Sequence, residues 1–577
     1  MNKKQKKNVK VLTGVLAVTA GMVAAAASHA SPVFAHANSD ANGKFLPDFA
    51  TFAEEKEYAG NLNVKIMEES IVLLKNKDDA LPLAKGSAVS LLGIRSYEPV
   101  VGGTGSGGSA GSYVTLSESL TDAGFEINGS MQSFYSSHRH TAAISRGMGS
   151  SNSAVVVDGP VSELAEVEDS ISLYDDVAVV TIGRVGGEGA DLFRTSQSAP
   201  DLAVLNADAT KHVLQLFDNE IDLIELAKQK CNKVVVLLNT ANVMEVAELE
   251  EDPDIDAILW IGEGGTTGLA GVGPVLNGDV SPSGRTVDIW PANFKKDPTW
   301  FNFGDNSQNN TYDEETKTWS TTYSNSIKTS LVTDSTVASG NKYSLEEEEN
   351  IYMGYRWYET AAADGVLDQL DIYESAKGTI PADKAGDVYY NRSTGVVYPF
   401  GYGLSYTEFE QEIVSSEAEI QAAINGVTNL DEKVQVKVKV TNVGDVAAKE
   451  VVQLYIHAPY TSGGIEKAEV SMVSFGKTQL LKPNKSEVVT LDVRAGDLAS
   501  FDYNDANHNG FSGWELEAGA YELRLQDNSH EEITHLSLTL TAKEFKEDGT
   551  VATGLAAADN YNWFSQGDDY DTLLPIK

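Results

Sequence analysis

The chain has 577 residues, enough for two to four domains at the usual ~150 residues each. Against 43 basic residues stand 84 acidic ones, a formal charge of −41, which excludes a globally basic nucleic-acid binder and argues against unaided adhesion to an anionic membrane. With 42% hydrophobic residues and 23 Tyr, 18 Phe and 7 Trp there is material for large cores, and the single cysteine, Cys231, excludes an intrachain disulfide framework and any cysteine-rich metal site.

The N-terminus carries Lys3, Lys4, Lys6, Lys7 and Lys10, then a mostly apolar stretch from Val11 to Ala27, then small residues around Ala30 and Ala35-His36-Ala37. This order predicts a secretory leader over residues 1–37, with cleavage preferred to retention as a membrane anchor because the apolar stretch falls short of the ~20 residues of a comfortable span. The bulk of the chain is therefore expected outside the cytoplasmic membrane, exported from a bacterium. Residues 38–60 read as a linker.

Helical and strand-like patterns then alternate to about Trp290. Val64 to Lys75 reads as a helix, Ala88 to Gly93 as a strand, Leu116 to Ala123 as a short helix and Val177 to Ile182 as a buried strand. Thr210 to Lys230 has the apolar spacing of an amphipathic helix, interrupted near Asp218-Asn219; Lys233 to Leu238 and Ile255 to Ile261 are two more strands. Such alternation predicts a layered α/β domain with a largely parallel sheet, whose functional loops lie at the carboxyl ends of strands. Cys231 precedes one of these strands and reads as a structural thiol rather than a nucleophile.

Residues 292–344 are dominated by polar turn formers and read as irregular, and Leu345 to Ala361 as a helix with Ser344 as its N-cap. After the turn-rich segment Tyr398 to Tyr406 the period changes to two. Val434, Val436, Val438 and Val440 alternate with Gln435, Lys437 and Lys439, and Val452, Leu454 and Ile456 repeat the pattern. Strands are expected over Val434–Asn442, Glu450–His457, Glu487–Val493 and Tyr521–Gln526, with no comparable helix between them, which predicts an all-β sandwich.

Two segments raise ligand questions of their own. Gly102 to Gly108 is glycine-rich but lacks the ending of a phosphate-binding loop, so it reads as a flexible rim. Asp505 to Gly510 begins like a calcium loop, yet the twelfth position is Leu516 rather than glutamate, so it reads as a turn. Nine scattered His without an HExxH pattern leave no metal or cofactor expected. Tyr97, Trp260 and Trp300 are candidate sugar-stacking aromatics, with core packing the default for Trp260.

Read together, Glu68 to Asn76 with Leu81-Pro82-Leu83, Gly187-Glu188-Gly189-Ala190-Asp191, Ser283-Gly284-Arg285, and Pro399 to Ser405 resemble landmarks of glycoside hydrolase family 3, a group of β-glucosidases, β-xylosidases and related exo-acting enzymes. Thr441-Asn442-Val443-Gly444 through Ala518-Gly519-Ala520-Tyr521 resembles the fibronectin-III-like domain that accompanies it. The resemblance implies an α/β sandwich domain over 61–403, with an irregular insertion, and a fibronectin-III-like domain over 404–542. It implies retaining hydrolysis of β-linked glucosides or xylosides, in which two carboxyl groups about 5 to 5.5 Å apart act as acid/base and nucleophile. Glu188, in a glycine-rich loop six positions past Ile182, is the implied acid/base; Asp191 and Arg194 are candidates for orienting the loop, Leu192 standing where many members carry arginine.

The family's aspartate nucleophile sits on a TIM barrel, and no such barrel precedes residue 60. Some bacterial members look rearranged, with the barrel last; Tyr561-Asn562-Trp563-Phe564 resembles the approach to it, and 543–577 reads as a linker toward a barrel that this sequence lacks. The expectation is thus an incomplete β-glucosidase-like enzyme, inactive alone or complemented by a separate barrel polypeptide. The alternative is a non-enzymatic, exported carbohydrate-binding or cell-envelope accessory protein.

Overall fold

A computed structural model describes residues 48–546, apart from parts of 104–110, 147–151, 189–210, 295–302, 306–348 and 366–394. The expected leader, the segment around Trp563, and both Asp191 and Arg194 lie outside the described residues. Residues up to Asn61 form a unit of their own, in which the rings of Phe49 and Tyr58 lie 5.1 Å apart. The second unit runs from Leu62 onward and holds two layer systems.

The first is built on a six-stranded sheet. In chain order the strands are β1 (Val72–Asn76), β2 (Ala88–Leu92), β3 (Glu126–Ile127), then, after the hairpin of β4 (His140–Arg146) and β5 (Asn152–Val157), β6 (Val177–Gly183), β7 (Val234–Asn239) and β8 (Ala257–Trp260). They lie in the order β1-β8-β7-β6-β2-β3, parallel except for β1, which pairs antiparallel with β8. Successive side chains point to opposite faces. Val72, Leu74, Ala178, Val180, Val234, Val236 and Leu238 join one buried cluster, while Ile71, Leu73, Val177, Val179, Val235 and Leu237 join the other.

Each face is closed by helices. Leu223, Ile224 and Ala227 of the helix Asp218–Lys230 and Met131, Phe134 and Tyr135 of Gly129–Ser137 pack on the first face; Leu116 and Leu120 of Leu116–Asp122 and Val272, Val275 and Leu276 of Val272–Leu276 pack on the second. Full burial of a side chain of this kind stabilises the fold by about 1.5–3 kcal/mol before chain entropy is counted.

Several elements differ from the sequence reading. The helix expected over Val64 to Lys75 is Phe52–Ser70, and Val72–Asn76 is a strand, because both faces of the Ile71-Val72-Leu73-Leu74 run find apolar cover. The helix expected from Thr210 begins only at Asp218, where Glu220 caps it by accepting from the Phe217 N–H at 2.8 Å. The helix expected from Leu345 is Tyr355–Ala363, preceded by Gly354 at φ +55. Within 292–344 short pairings occur: β10 (Phe303–Asp305) with β13 (Tyr343–Leu345), and β11 (Thr311–Asp313) with β12 (Thr318–Ser320). β9 (Trp290–Pro291) pairs with β14 (Val396–Tyr398).

The second layer system is an antiparallel β-sandwich. One sheet orders β15 (Phe409–Ile413), β16 (Lys433–Asn442) and β19 (Ser486–Arg494). The other orders β18 (Ser471–Lys477), β17 (Val451–His457), β22 (Gly519–Gln526) and β23 (Glu532–Leu540). Val434, Val436, Val438 and Val440 face Val452, Leu454, Leu523 and Leu525 in one core, as the period of two requires. A smaller sheet joins β20 (Ser500–Asp502), β21 (Gly513–Leu516) and β24 (Lys543–Phe545). Contrary to expectation a helix, Glu417–Gly426, interrupts the strands; Ile420 and Ile424 supply its buried stripe.

Candidate functional site at the carboxyl rim of the parallel sheet

β6 is buried along all its residues and ends at Gly183, so the chain leaves the sheet at a fixed point. The next residue, Arg184, is fully buried. Its Nη1 and Nη2 donate to Glu220 Oε1 and Oε2 at 2.6 and 2.7 Å, its Nε donates to Val213 O, and its Nη2 donates also to Gln215 O at 2.8 Å. The guanidinium carbon Cζ lies 3.9 Å from the Phe217 ring centroid. This bidentate clamp ties the root of the loop to the first turn of the helix Asp218–Lys230.

Glu188 lies four residues beyond Arg184 and is exposed. The loop carrying it packs directly on the glycine-rich segment. A Cβ on Gly103 would stand 2.7 Å from Gly186 O, and one on Gly105, whose φ is +66, would stand 2.8 Å from Glu188 Cβ and strike its carboxylate. Both glycines are thus required by close approach, and Gly105 also by its left-handed backbone. Gly103 and Gly105 thus pack directly against the loop that carries Glu188.

Beneath the loops lies a charged, buried floor. Asp158 Oδ1 accepts from the Ile94 N–H at 2.7 Å, and Arg95 Nη2 donates to Val156 O at 2.7 Å. Burial pushes the Asp158 carboxyl up to about 7, against the pull of the Ile94 hydrogen bond and of Arg95 and Arg184. Burial likewise brings Arg95 down to about 10. At the end of β7, fully buried Asn239 knits three loops together: it accepts from Val100 N at 2.6 Å and donates to Val100 O and Gly262 O at 2.9 and 2.6 Å.

The loop after β8 brings Glu263 to the same rim, and burial raises its carboxyl above the usual range. Sequence reasoning missed Glu263, although Gly262-Glu263-Gly264 repeats the Gly187-Glu188-Gly189 pattern on a further strand of the same sheet. Trp260 and Glu263 also border a cleft of about 480 Å³, whose other walls include Arg285, Phe400, Phe475 and Lys477.

The aromatic candidates separate. Tyr97 donates to Leu91 O at 3.0 Å and stacks on Tyr135 with centroids 5.2 Å apart, which makes it a packing residue. Trp260 donates to Thr240 O at 2.6 Å and packs edge-on against buried Trp290 while keeping one side on the cleft. Trp300 lies 5.0 Å from His212, which is buried and bonded to Glu245 at 3.1 Å. Cys231 is half-buried with its thiol pushed up to about 12 by burial, which leaves it protonated.

Two clusters with ligand-like composition are already satisfied. Asp505 Oδ1 accepts from Gly510 N at 3.0 Å, as in the turn expected there. Glu522, Glu532 and His535 converge within metal-binding reach, but Arg524 already bonds Glu522 at 2.7 Å and lies 3.3 Å from Glu532, which supplies the positive charge.

Comparison with known proteins agrees with this fold. The profile described as the glycosyl hydrolase family 3 C-terminal domain matches residues 71–331, and that of a fibronectin type III-like domain matches 450–529. β-Glucosidase A of Butyrivibrio fibrisolvens is 28% identical over 473 residues, covering 79% of this chain and 48% of the relative. The Ruminococcus albus β-glucosidase is 27% identical over 465 residues, covering 79% of this chain and 38% of the relative. The structure of β-glucosidase 3B from Thermotoga neapolitana in complex with glucose superposes with a TM-score of 0.57 at 26% identity, over 86% of this chain and 55% of that one. The chain thus matches the glycosyl hydrolase family 3 C-terminal domain followed by a fibronectin type III-like domain, and it spans half or less of the length of these two relatives.

Proposed function

We propose that this chain supplies the acid/base half of a retaining β-glycosidase of the β-glucosidase or β-xylosidase type, with Glu188 as the acid/base residue. One observation carries the reading: Glu188 stands at the carboxyl end of a central parallel strand, on a loop rooted by the Arg184–Glu220 clamp and walled by Gly103 and Gly105, in a domain matching family 3. A carboxyl so placed can protonate the leaving oxygen of a β-linked saccharide while a second carboxylate attacks the anomeric carbon. It then takes a proton from the water that releases the sugar. The attacking carboxylate would come from a barrel-type domain, in a longer polypeptide or a separate one. Asp191 and Arg194 are proposed to orient the loop, and the basic and apolar start supports export.

The test mixes the 577-residue chain with a family 3 barrel domain and follows chromophore release from dinitrophenyl β-glucoside and β-xyloside. Release is expected in the mixture, and to fall about 10²–10⁴-fold in Glu188→Gln. With Glu188→Ala, azide should restore turnover and yield the glycosyl azide, as it does when only the acid/base group is missing. Unchanged steady-state release at saturating substrate in Glu188→Gln, where hydrolysis of the glycosyl intermediate needs the base, would remove that residue from the chemistry.

A further inference from the structure

On the β-sandwich, away from the Glu188 loop, β20 and β21 pair antiparallel with Phe501 directly opposite Trp514. The two rings stand 5.3 Å apart at 65°, and they remain 53% and 40% exposed. Apolar rings this large are usually covered, and here they border a cleft of about 330 Å³, at the small end of ligand-sized cavities. Arg356, from the helix Tyr355–Ala363, lines the same cleft, and its buried Nε has no hydrogen-bond partner among the described residues. The neighbouring charges are already engaged. Asp502 accepts from Asn504 N and Ala506 N, and Lys467 is paired with Glu517.

We propose that this cleft is a saccharide-binding subsite for the terminal one or two rings of a neutral β-linked glycan. The C–H face of a pyranose packs on Trp514 or Phe501, and a ring hydroxyl accepts from the guanidinium of Arg356, which lines the cleft. Rings at 65° cannot both lie beneath a flat extended chain, so they cradle one end of it rather than forming a long platform. The formal charge of −41 selects against polyanionic glycans. The subsite uses none of the groups around Glu188, and its occupancy does not depend on turnover there.

Cellotetraose titrated into the 577-residue chain, followed by calorimetry and by tryptophan fluorescence, tests this. Saturable binding is expected, weakened about tenfold or more in Trp514→Ala and about threefold or more in Arg356→Gln, with Glu188→Gln binding as the parent does. Phe501→Ala replaces Trp514→Ala if circular dichroism shows the latter misfolded. Absence of saturable binding by the parent overturns the proposal. So does parent-like affinity in both cleft variants, and so does loss of binding in Glu188→Gln, which would place the sugar at the other site.

Discussion

Arg184 is buried where water cannot reach it, and the arrangement holds only because Glu220 meets it with both oxygens. Removing one member of such a pair strands the other, so Glu220→Ala should lower stability by about 3–5 kcal/mol in urea titrations. The same variant should loosen the root of the Glu188 loop, seen as faster amide exchange over residues 183–188. Asp158 makes stability depend on pH. Its folded pKa is raised from 3.8 to about 7, so its contribution is fully present below about pH 3.8 and is lost as pH rises through 7. Asp158→Asn keeps an acceptor for Ile94 N–H but cannot ionise. The stability of the parent relative to Asp158→Asn should therefore fall between pH 4 and 8; a pH-independent difference would show that Asp158 ionises as freely folded as unfolded. Of these residues only Glu188 is singled out by the sequence, through its glycines and its family resemblance. Arg184, Glu220 and Asp158 meet across long separations, and nothing local to any of them signals the others.

Elements were legible where one pattern had no rival. β6 and β7 are continuous β-branched and aliphatic runs, and β16 is a strict alternation, so the strand reading stands for each. Failure came where the same residues suited two periods. Ile71 to Leu74 extends a helical spacing begun at Val64, but antiparallel pairing with β8 lets all four side chains be buried, two on each sheet face, which a helix could not provide. The helix Glu417–Gly426 escaped notice because its buried stripe is only Ile420 and Ile424, too short for periodicity to reveal. Around Lys211 to Phe217 the apolar spacing is genuine, yet those backbone groups are engaged elsewhere: Val213 and Gln215 give their carbonyls to Arg184 in place of a helical ladder. The helix register there was surrendered to a loop that anchors a charge.

At the scale of the whole second unit, polar groups join the α/β domain to the sandwich. Arg285 Nη2 donates to Glu450 Oε1 at 2.7 Å with both side chains nearly buried, Glu69 is paired with Lys449 and Lys477, and Gln453 donates to Gly401 O at 2.9 Å. From the helix Tyr355–Ala363, Glu359 accepts from Ser529 Oγ at 3.1 Å and lies 2.9 Å from His530 Nδ1. Such contacts have strict geometry, so the domains should melt together. Calorimetry of the full chain should show one main transition spanning both. Glu450→Ala leaves Arg285 buried, with Nε already lacking a partner among the described residues, and should cost about 3–5 kcal/mol and split the transition in two. A single transition at an unchanged Tm would mean that the apolar cleft walls, not the ion pair, couple the domains. Coupling matters for function because the loop bearing Glu263 borders the cleft between these domains and is held by Asn239 to the rim where Glu188 stands, so disturbance of the sandwich has a short path to the proposed acid/base.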